Sequence, residues 1–330
     1  MINEIKVQPY WMRHIEVRLS SKINRRQLIF NNLDPNKNNI DIQINGTKYI
    51  GTSKDCGTVA ISNLEYDTIL KIINEEYYSI EILVGYQSFG NLETYFKGQV
   101  SFINQKIHAQ HDTTTYITYA SNLVAAWSQG RMNFQINSGI NLYSALGYIC
   151  NLTGIKERNI SPELKSIVLQ KAMQSYSSPV SAIDYLSKNS NKIIVNEDQS
   201  FTNAVINMTH IEKARRVQLN PNSILISKGN PTLTSAGLKM TLLPTFNFCP
   251  GDIIYMRDNE GHKWGLNSLI DTSINNPESV KTTFNTNYLD PNGEYMIMEI
   301  DYSFASRSNN FELNITARQL SYLKNIQLGG

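Results

Sequence analysis

The sequence predicts a mainly β protein with an α+β insert in its middle third. Three observations carry this. Apolar and polar residues alternate over His14-Ile-Glu-Val-Arg-Leu and Ile40-Asp-Ile-Gln-Ile, the period of a half-buried strand. β-branched and aromatic residues fill similar runs, among them Thr113-Thr-Thr-Tyr-Ile-Thr-Tyr-Ala. Apolar residues at helical spacing are concentrated in one region, residues 119–216.

Residues 1–118 read as a series of strands. After the alternating run at His14 comes Leu28-Ile-Phe. Residues 40–50 predict a hairpin, with Asn45-Gly46 as a turn that tolerates positive φ. Thr58-Val-Ala-Ile-Ser begins another strand, which ends at Asn63-Leu64. A short helix over Tyr66–Ile73 follows, with Asp67 in its first turn. Ile80-Glu-Ile-Leu-Val-Gly-Tyr is a strand, Gly90 marks a turn, and Tyr95–Ile103 is a further strand.

The character changes over residues 119–216. Ser138 is placed to cap a helix whose apolar stripe is Leu142, Ala145, Leu146, Ile149 and Leu152, and Gly154 to end it. Ser178-Pro179 opens a second helix, with Pro179 at its first position and Val180, Ile183 and Leu186 at helical spacing. Lys192-Ile-Ile-Val predicts a strand, and Phe201–Met208 its partner. Short helices alternating with short strands argue for small α+β modules.

From residue 217 the pattern returns to β. Ser223–Ser227 and Leu238–Leu243 are strands. Pro250-Gly251-Asp252 is a turn leading into Asp252–Met256. Residues 257–292 read as a long polar excursion. Gly293–Ser303 and Asn310–Arg318 form a hairpin through Ser306–Asn309. The expected domains are therefore 1–118, 119–216 and 217–330. A length of 330 residues fits more than one domain, since single cores stop growing near roughly 250 to 300.

Composition narrows the function. Charged residues are 18%, below the usual ~25%, as suits a surface buried in an assembly; a coding bias towards Asn, Ile, Lys and Tyr gives the same composition. Net charge is only +2, which leaves no basic footprint for specific nucleic-acid binding. The densest basic spot, Lys213, Arg215 and Arg216, reads as a solvated strand or linker. Cys56, Cys150 and Cys249 are odd in number and far apart, so neither a disulfide framework nor a zinc cluster is implied. No apolar run approaches 18 residues, so no membrane span is expected, and the start lacks the apolar core of a signal peptide.

No set of catalytic, cofactor-binding or metal-binding residues emerges. His108-Ala-Gln-His111-Asp112 has some metal-ligand flavour. A three-residue offset in a strand would point the two rings to opposite faces, however, and a polar strand end is the simpler reading. Nucleophile-elbow and phosphate-loop motifs are absent. Cys56-Gly57 has no histidine in a partnering motif. Glu75-Glu76 reads as a helix end and Glu197-Asp198 as a hairpin turn, rather than as a glycosidase pair. The aromatics fall inside β-runs, where packing is the default and a sugar platform the alternative.

Three stretches taken in order carry a resemblance. Ala60-Ile-Ser-Asn-Leu-Glu-Tyr-Asp-Thr-Ile-Leu is followed by Ile80-Glu-Ile-Leu-Val-Gly-Tyr and Phe96-Lys-Gly-Gln-Val. The helix-strand modules of 137–205 come next. Leu243-Pro-Thr-Phe-Asn-Phe-Cys-Pro-Gly-Asp and Gly293-Glu-Tyr-Met-Ile-Met-Glu-Ile-Asp-Tyr close the series. In this order the segments resemble the hub proteins of contractile-tailed phage baseplates, relatives of the late-control and spike-hub proteins of contractile injection systems. The resemblance implies two tube-type β-barrel domains flanking small α+β modules. It implies a homotrimer that adapts a sixfold tail tube, or its initiator protein, to a threefold central spike beside other baseplate proteins. It implies a place in the virion tail baseplate, assembled in the host cytoplasm, with no enzymatic activity, no cofactor and no lysin domain. A host receptor- or glycan-binding tail protein is the alternative, and a peptidoglycan hydrolase a third.

Overall fold

The computed structural model describes residues 3–4, 13–33, 40–50, 55–86, 92–107, 112–121, 132–152, 158–178, 181–183, 185–186, 193–197, 206–219, 231–234, 237–244, 247–255, 267–268 and 293–320. It is mainly β with an α+β insert, as the residue patterns predict. Two compact units share the chain: Pro9–Lys213 with Tyr302–Phe311, and Met1–Gln8 with Ala214–Asp301 and Glu312–Gly330.

The strands are numbered along the chain. They begin with β1 (Asn3–Glu4), β2 (Arg13–Ser21), β3 (Gln27–Asn31), β4 (Ile42–Tyr49) and β5 (Cys56–Ser62). After helix α1 (Tyr66–Asn74) come β6 (Tyr77–Tyr86), β7 (Leu92–Ile107) and β8 (Thr113–Ala120). In the Pro9–Lys213 unit these strands lie in the order β3-β2-β6-β7-β8-β5-β4. Each neighbouring pair is antiparallel. One face is the core, and the period of two selects it: Ile15, Val17 and Leu19 from β2, Ile80 and Ile82 from β6, Val59 and Ile61 from β5, and Ile117 and Tyr119 from β8. Register shifts between Ile82 and Leu83 and between Val100 and Phe102 mark bulges, which bend strands and let a sheet curl. Among the described residues the pairings form an open path of strands. Side chains of β4 nevertheless meet β7 across the core.

One expected turn is not there. Asn45-Gly46 lies inside β4, paired with Thr58 and Gly57, and no hairpin forms over residues 40–50. Gly46 is needed for a close approach by another side chain rather than for positive φ. The expected turn at Gly90 lies outside the described residues.

The insert has its own core. β9 (Met132–Ile136) pairs antiparallel with β11 (Met173–Ser177). β10 (Arg158–Ile160) runs parallel to β13 (Ile206–His210), and β12 (Ile193–Glu197) antiparallel to β13. Helix α2 (Leu142–Leu152) buries Leu142, Ala145, Leu146, Ile149 and Cys150 against Phe134, Ile136, Leu164 and Ile183. Two details depart from the sequence reading. The cap is Asn141, whose side-chain oxygen accepts the Ser144 N–H at 2.9 Å, while Ser138 sits in a turn beside Gly139 at φ +86°. Leu152 is 47% exposed: at about 100° per residue it falls just off the buried arc, and Cys150 takes the inward place. Ser178 does cap the second helix, accepting the Ser181 N–H at 3.2 Å, with Ile183 and Leu186 buried. Gly154 lies outside the described residues.

The other unit contains β14 (Arg216–Gln218), β15 (Thr232–Thr234), β16 (Gly237–Leu242), β17 (Ile253–Tyr255), β18 (Asn267–Ser268) and most of β19 (Glu294–Ala305) and β20 (Phe311–Gln319). β14 lies between β1 and β17, parallel to both. β16 is antiparallel to β15 and to β20, with Leu238 facing Ala317 and Leu242 facing Leu313. The Pro250-Gly251-Asp252 turn forms as read, with Gly251 at φ +92° and the Asp252 N–H donating to the Cys249 carbonyl at 3.1 Å. The hairpin between β19 and β20 is closed by the Ala305 N–H on the Asn310 carbonyl at 2.8 Å. The strand expected at Ser223–Ser227 lies outside the described residues. So does the excursion 257–292, except for Asn267–Ser268, which pair with Thr232–Leu233.

Candidate functional site

The most built feature of the molecule is an aromatic cluster over two glycines. β4 and β5 place Gly46 opposite Gly57. The phenol of Tyr302 lies over Gly46 and that of Tyr119 over Gly57, each closer than a Cβ would permit. The two hydroxyls meet at 2.8 Å. Around them Tyr95 stands edge-on to Tyr302 and to Phe304, both at 4.9 Å between ring centroids, and Phe96 packs on Tyr119 at 4.7 Å. Such pairs are worth about 0.5 to 1.5 kcal/mol each beyond their buried area. Lys48, 1% exposed, donates to the Tyr95 carbonyl at 2.6 Å and stands 3.8 Å over its ring. Burial pushes both phenols well above the ordinary tyrosine value. They are neutral at physiological pH, and the arrangement is one of packing.

A second constellation holds the Pro250–Asp252 turn. The Asp252 carboxylate accepts two bonds from the Arg215 guanidinium, one of them at 2.9 Å, and the Cys249 N–H at 2.7 Å. Arg215 also donates to the Asn247 carbonyl at 2.7 Å. Burial works against the Arg215 charge, but the Asp252 bonds and charge outweigh it and raise its pKa. Of the basic spot, only Arg215 departs from the reading of a solvated strand or linker, because it clamps a turn; Arg216 begins strand β14, and Lys213, 63% exposed, lies 3.7 Å from Glu163.

The solvent-facing side of the sheet around β2–β8 divides by chemistry. Arg18, Glu81 and Lys97 stand in register across β2, β6 and β7 as an ionic ladder. Lys97 is 3.0 Å and Arg18 3.7 Å from Glu81. Over β4, β5 and β8 the facing residues carry no charge, and the neighbouring second half of β7 adds a single cation, Lys106, opposite Thr114. One register row is Asn45, Thr58, Thr118 and Phe102; the next is Gln43, Ala60, Tyr116 and Asn104.

Residues with chemical promise are scattered. His108 and His111 lie outside the described residues, and Asp112 accepts from Asn63 at 3.4 Å. His14 bonds Asn31 at 3.0 Å. Cys56 is exposed, Cys150 buried and Cys249 intermediate, each a thiol rather than half of a disulfide. Glu75 ends α1, where the Asn24 amide holds its carboxyl below the usual range, and Glu197 ends β12. Among the described residues no group of three or more His, Cys, Asp or Glu could hold a metal ion, and no helix is long and apolar enough to cross a membrane.

No protein-family model and no curated protein matches the sequence. Solved structures match the fold. A tail protein from Neisseria meningitidis MC58 aligns with TM-score 0.54 at 8% identity, over 94% of this chain and 98% of that one. The 43 kDa tail protein of prophage MuSo2 from Shewanella oneidensis gives 0.52 at 10% identity, over 93% and 98%. An Escherichia coli component of the type VI secretion system, itself structurally similar to the T4 bacteriophage tail proteins gp27 and gp5, gives 0.51 at 12% identity, over 86% and 75%. In fold, the chain is similar along most of its length to phage tail proteins and to a type VI secretion component, in keeping with the baseplate-hub resemblance of its segments.

Proposed function

We propose that this chain is a structural subunit of a phage-type tail, a baseplate hub protein that acts without catalysis. The observation that carries the reading is end-to-end likeness in fold to two tail proteins, each covered over 98% of its length. In this reading three copies form a ring between a sixfold tail tube, or its initiator protein, and a threefold central spike. The presence of two compact β-rich units in each chain supports it, because three copies then offer six such units to the tube. The scarcity of charge across β4, β5 and β8 supports burial in an assembly. The site of action is the tail baseplate, assembled in the host cytoplasm beside other baseplate proteins.

Light-scattering mass of the purified chain, with labelling and cryo-microscopy of assembled tails, tests the proposal. A trimer found at the tube–spike junction is expected. A monomer at all concentrations that is also absent from tail particles would overturn it. A cell-wall suspension should stay turbid with the purified chain, and clearing would overturn the non-catalytic reading.

A further inference from the structure

Residues 302–311 come from near the end of the sequence, yet they complete the core of the Pro9–Lys213 unit. Tyr302, Phe304, Ala305 and Phe311 are 2%, 0%, 4% and 2% exposed. The segment is tied to β4 along its length. The Ser306 N–H donates to the Ile42 carbonyl and the Ser306 hydroxyl accepts the Ile42 N–H, both at 2.9 Å. The Ser306 hydroxyl donates to Asp41, and the Ser303 hydroxyl to Asn45, both at 2.8 Å. At its far end Phe311 packs against Tyr86 at 5.3 Å, under the Arg13 guanidinium.

Removing this segment in thought leaves a defined groove. β4 would keep β5 alone as a described neighbour and present a row of open backbone groups. Gly46 offers no side chain to cover the gap, and the rings of Tyr95 and Tyr119 would face water. An open strand edge beside apolar surface is a template for another chain.

The geometry points to residues 302–311 as an internal donor strand, a clasp that seals the β4 edge. The groove takes an extended segment of the form Tyr-x-Phe-Ala-Ser, with the first ring over Gly46. The sheet that begins at Arg13 is therefore finished only when the hairpin of β19 and β20 has been made. This inference stands apart from the hub reading, since it concerns the single chain.

Hydrogen exchange on the full chain tests it. In a Cys56→Ser background, Asn45→Cys with Ser303→Cys joins two side chains that already touch. The oxidised form should exchange its 42–49 amides at least about tenfold more slowly than the reduced form. Equal rates in the two forms would overturn the clasp. In Tyr302→Ala/Phe304→Ala, amides of 42–49 should lose at least about tenfold more protection than those of 237–242. A synthetic peptide spanning residues 300–313 should restore it. Equal loss in both segments, or no restoration, would equally overturn the inference. Should that variant fail to fold, the disulfide comparison decides alone.

Discussion

A glycine inside a strand ordinarily weakens it, because it packs nothing and loses the most freedom on folding. Gly46 and Gly57 offset that loss by letting the hydroxyl ends of two tyrosines come close to the backbone. Gly57→Ala should therefore cost about 1 to 3 kcal/mol through overpacking against Tyr119, read as a lower denaturant midpoint. Tyr119→Phe and Tyr302→Phe each remove one side of the hydroxyl pair, at about 1 kcal/mol. The double variant should cost less than the sum, and strict additivity would show that the pair is not coupled. Alkaline pH reports on the same residues. Both phenols ionise near 10 when unfolded and higher when folded, because burial penalises the charged form. Above that value the unfolded chain binds fewer protons than the native one, so stability falls as pH rises. The contribution is complete below about pH 10 and declines above it by about 1.4 kcal/mol per phenol per pH unit. Urea midpoints measured on either side of pH 10 should show this fall, and it should shrink in the Tyr119→Phe/Tyr302→Phe variant.

At the scale of elements, caps and clamps decide where segments begin and turn. Asn141→Ala should cost about 1 kcal/mol and Ser138→Ala close to nothing, since it is the Asn141 side chain that accepts the Ser144 N–H in the first turn of α2. The reverse order in thermal melts would return the cap to Ser138. The turn before β17 depends on Asp252, which is 5% exposed and accepts from Arg215 and from the Cys249 N–H. Asp252→Ala should cost about 2 to 3 kcal/mol, less than the roughly 3 to 5 of a fully buried pair, because the Arg215 side chain is 39% exposed and partly solvated. Adding Arg215→Leu to that variant should recover part of the loss, since it removes the charge left behind.

For the whole molecule, a net charge of +2 and the scarcity of charge over β4, β5 and β8 lead to the expectation of no specific nucleic-acid binding. The chain should pass through a DNA column at about 0.15 M salt, where proteins making many phosphate contacts are retained. The two compact units are each discontinuous in sequence, and both β19 and β20 change unit within a single strand. A boundary read from composition runs along the chain, so it cannot show residues 302–311 working with residues 13–121. The ladder of Arg18, Glu81 and Lys97 is hidden for the same reason: its members are 63 and 16 residues apart in sequence and meet only through strand pairing.

What the sequence determined by itself is much of what has a short range. Alternation with a period of two and β-branched or aromatic runs placed the longer strands β2, β5, β6, β7, β8, β16, β19 and β20, whereas the short strands β1, β9, β10, β11, β15 and β18 carried no such signal. Helical spacing placed α1 and α2, and Ser178-Pro179 located the second helix start of the insert. These features depend on residues two to four positions apart. Tertiary structure alone decided the rest. Asn45-Gly46 has the local chemistry of a hairpin turn, but a ring 256 residues away from Gly46 makes it the middle of a strand. Arg215 looks solvated until Asp252, 37 residues on, folds beneath it. A local pattern records which face a residue presents, and only the folded chain determines what that face meets.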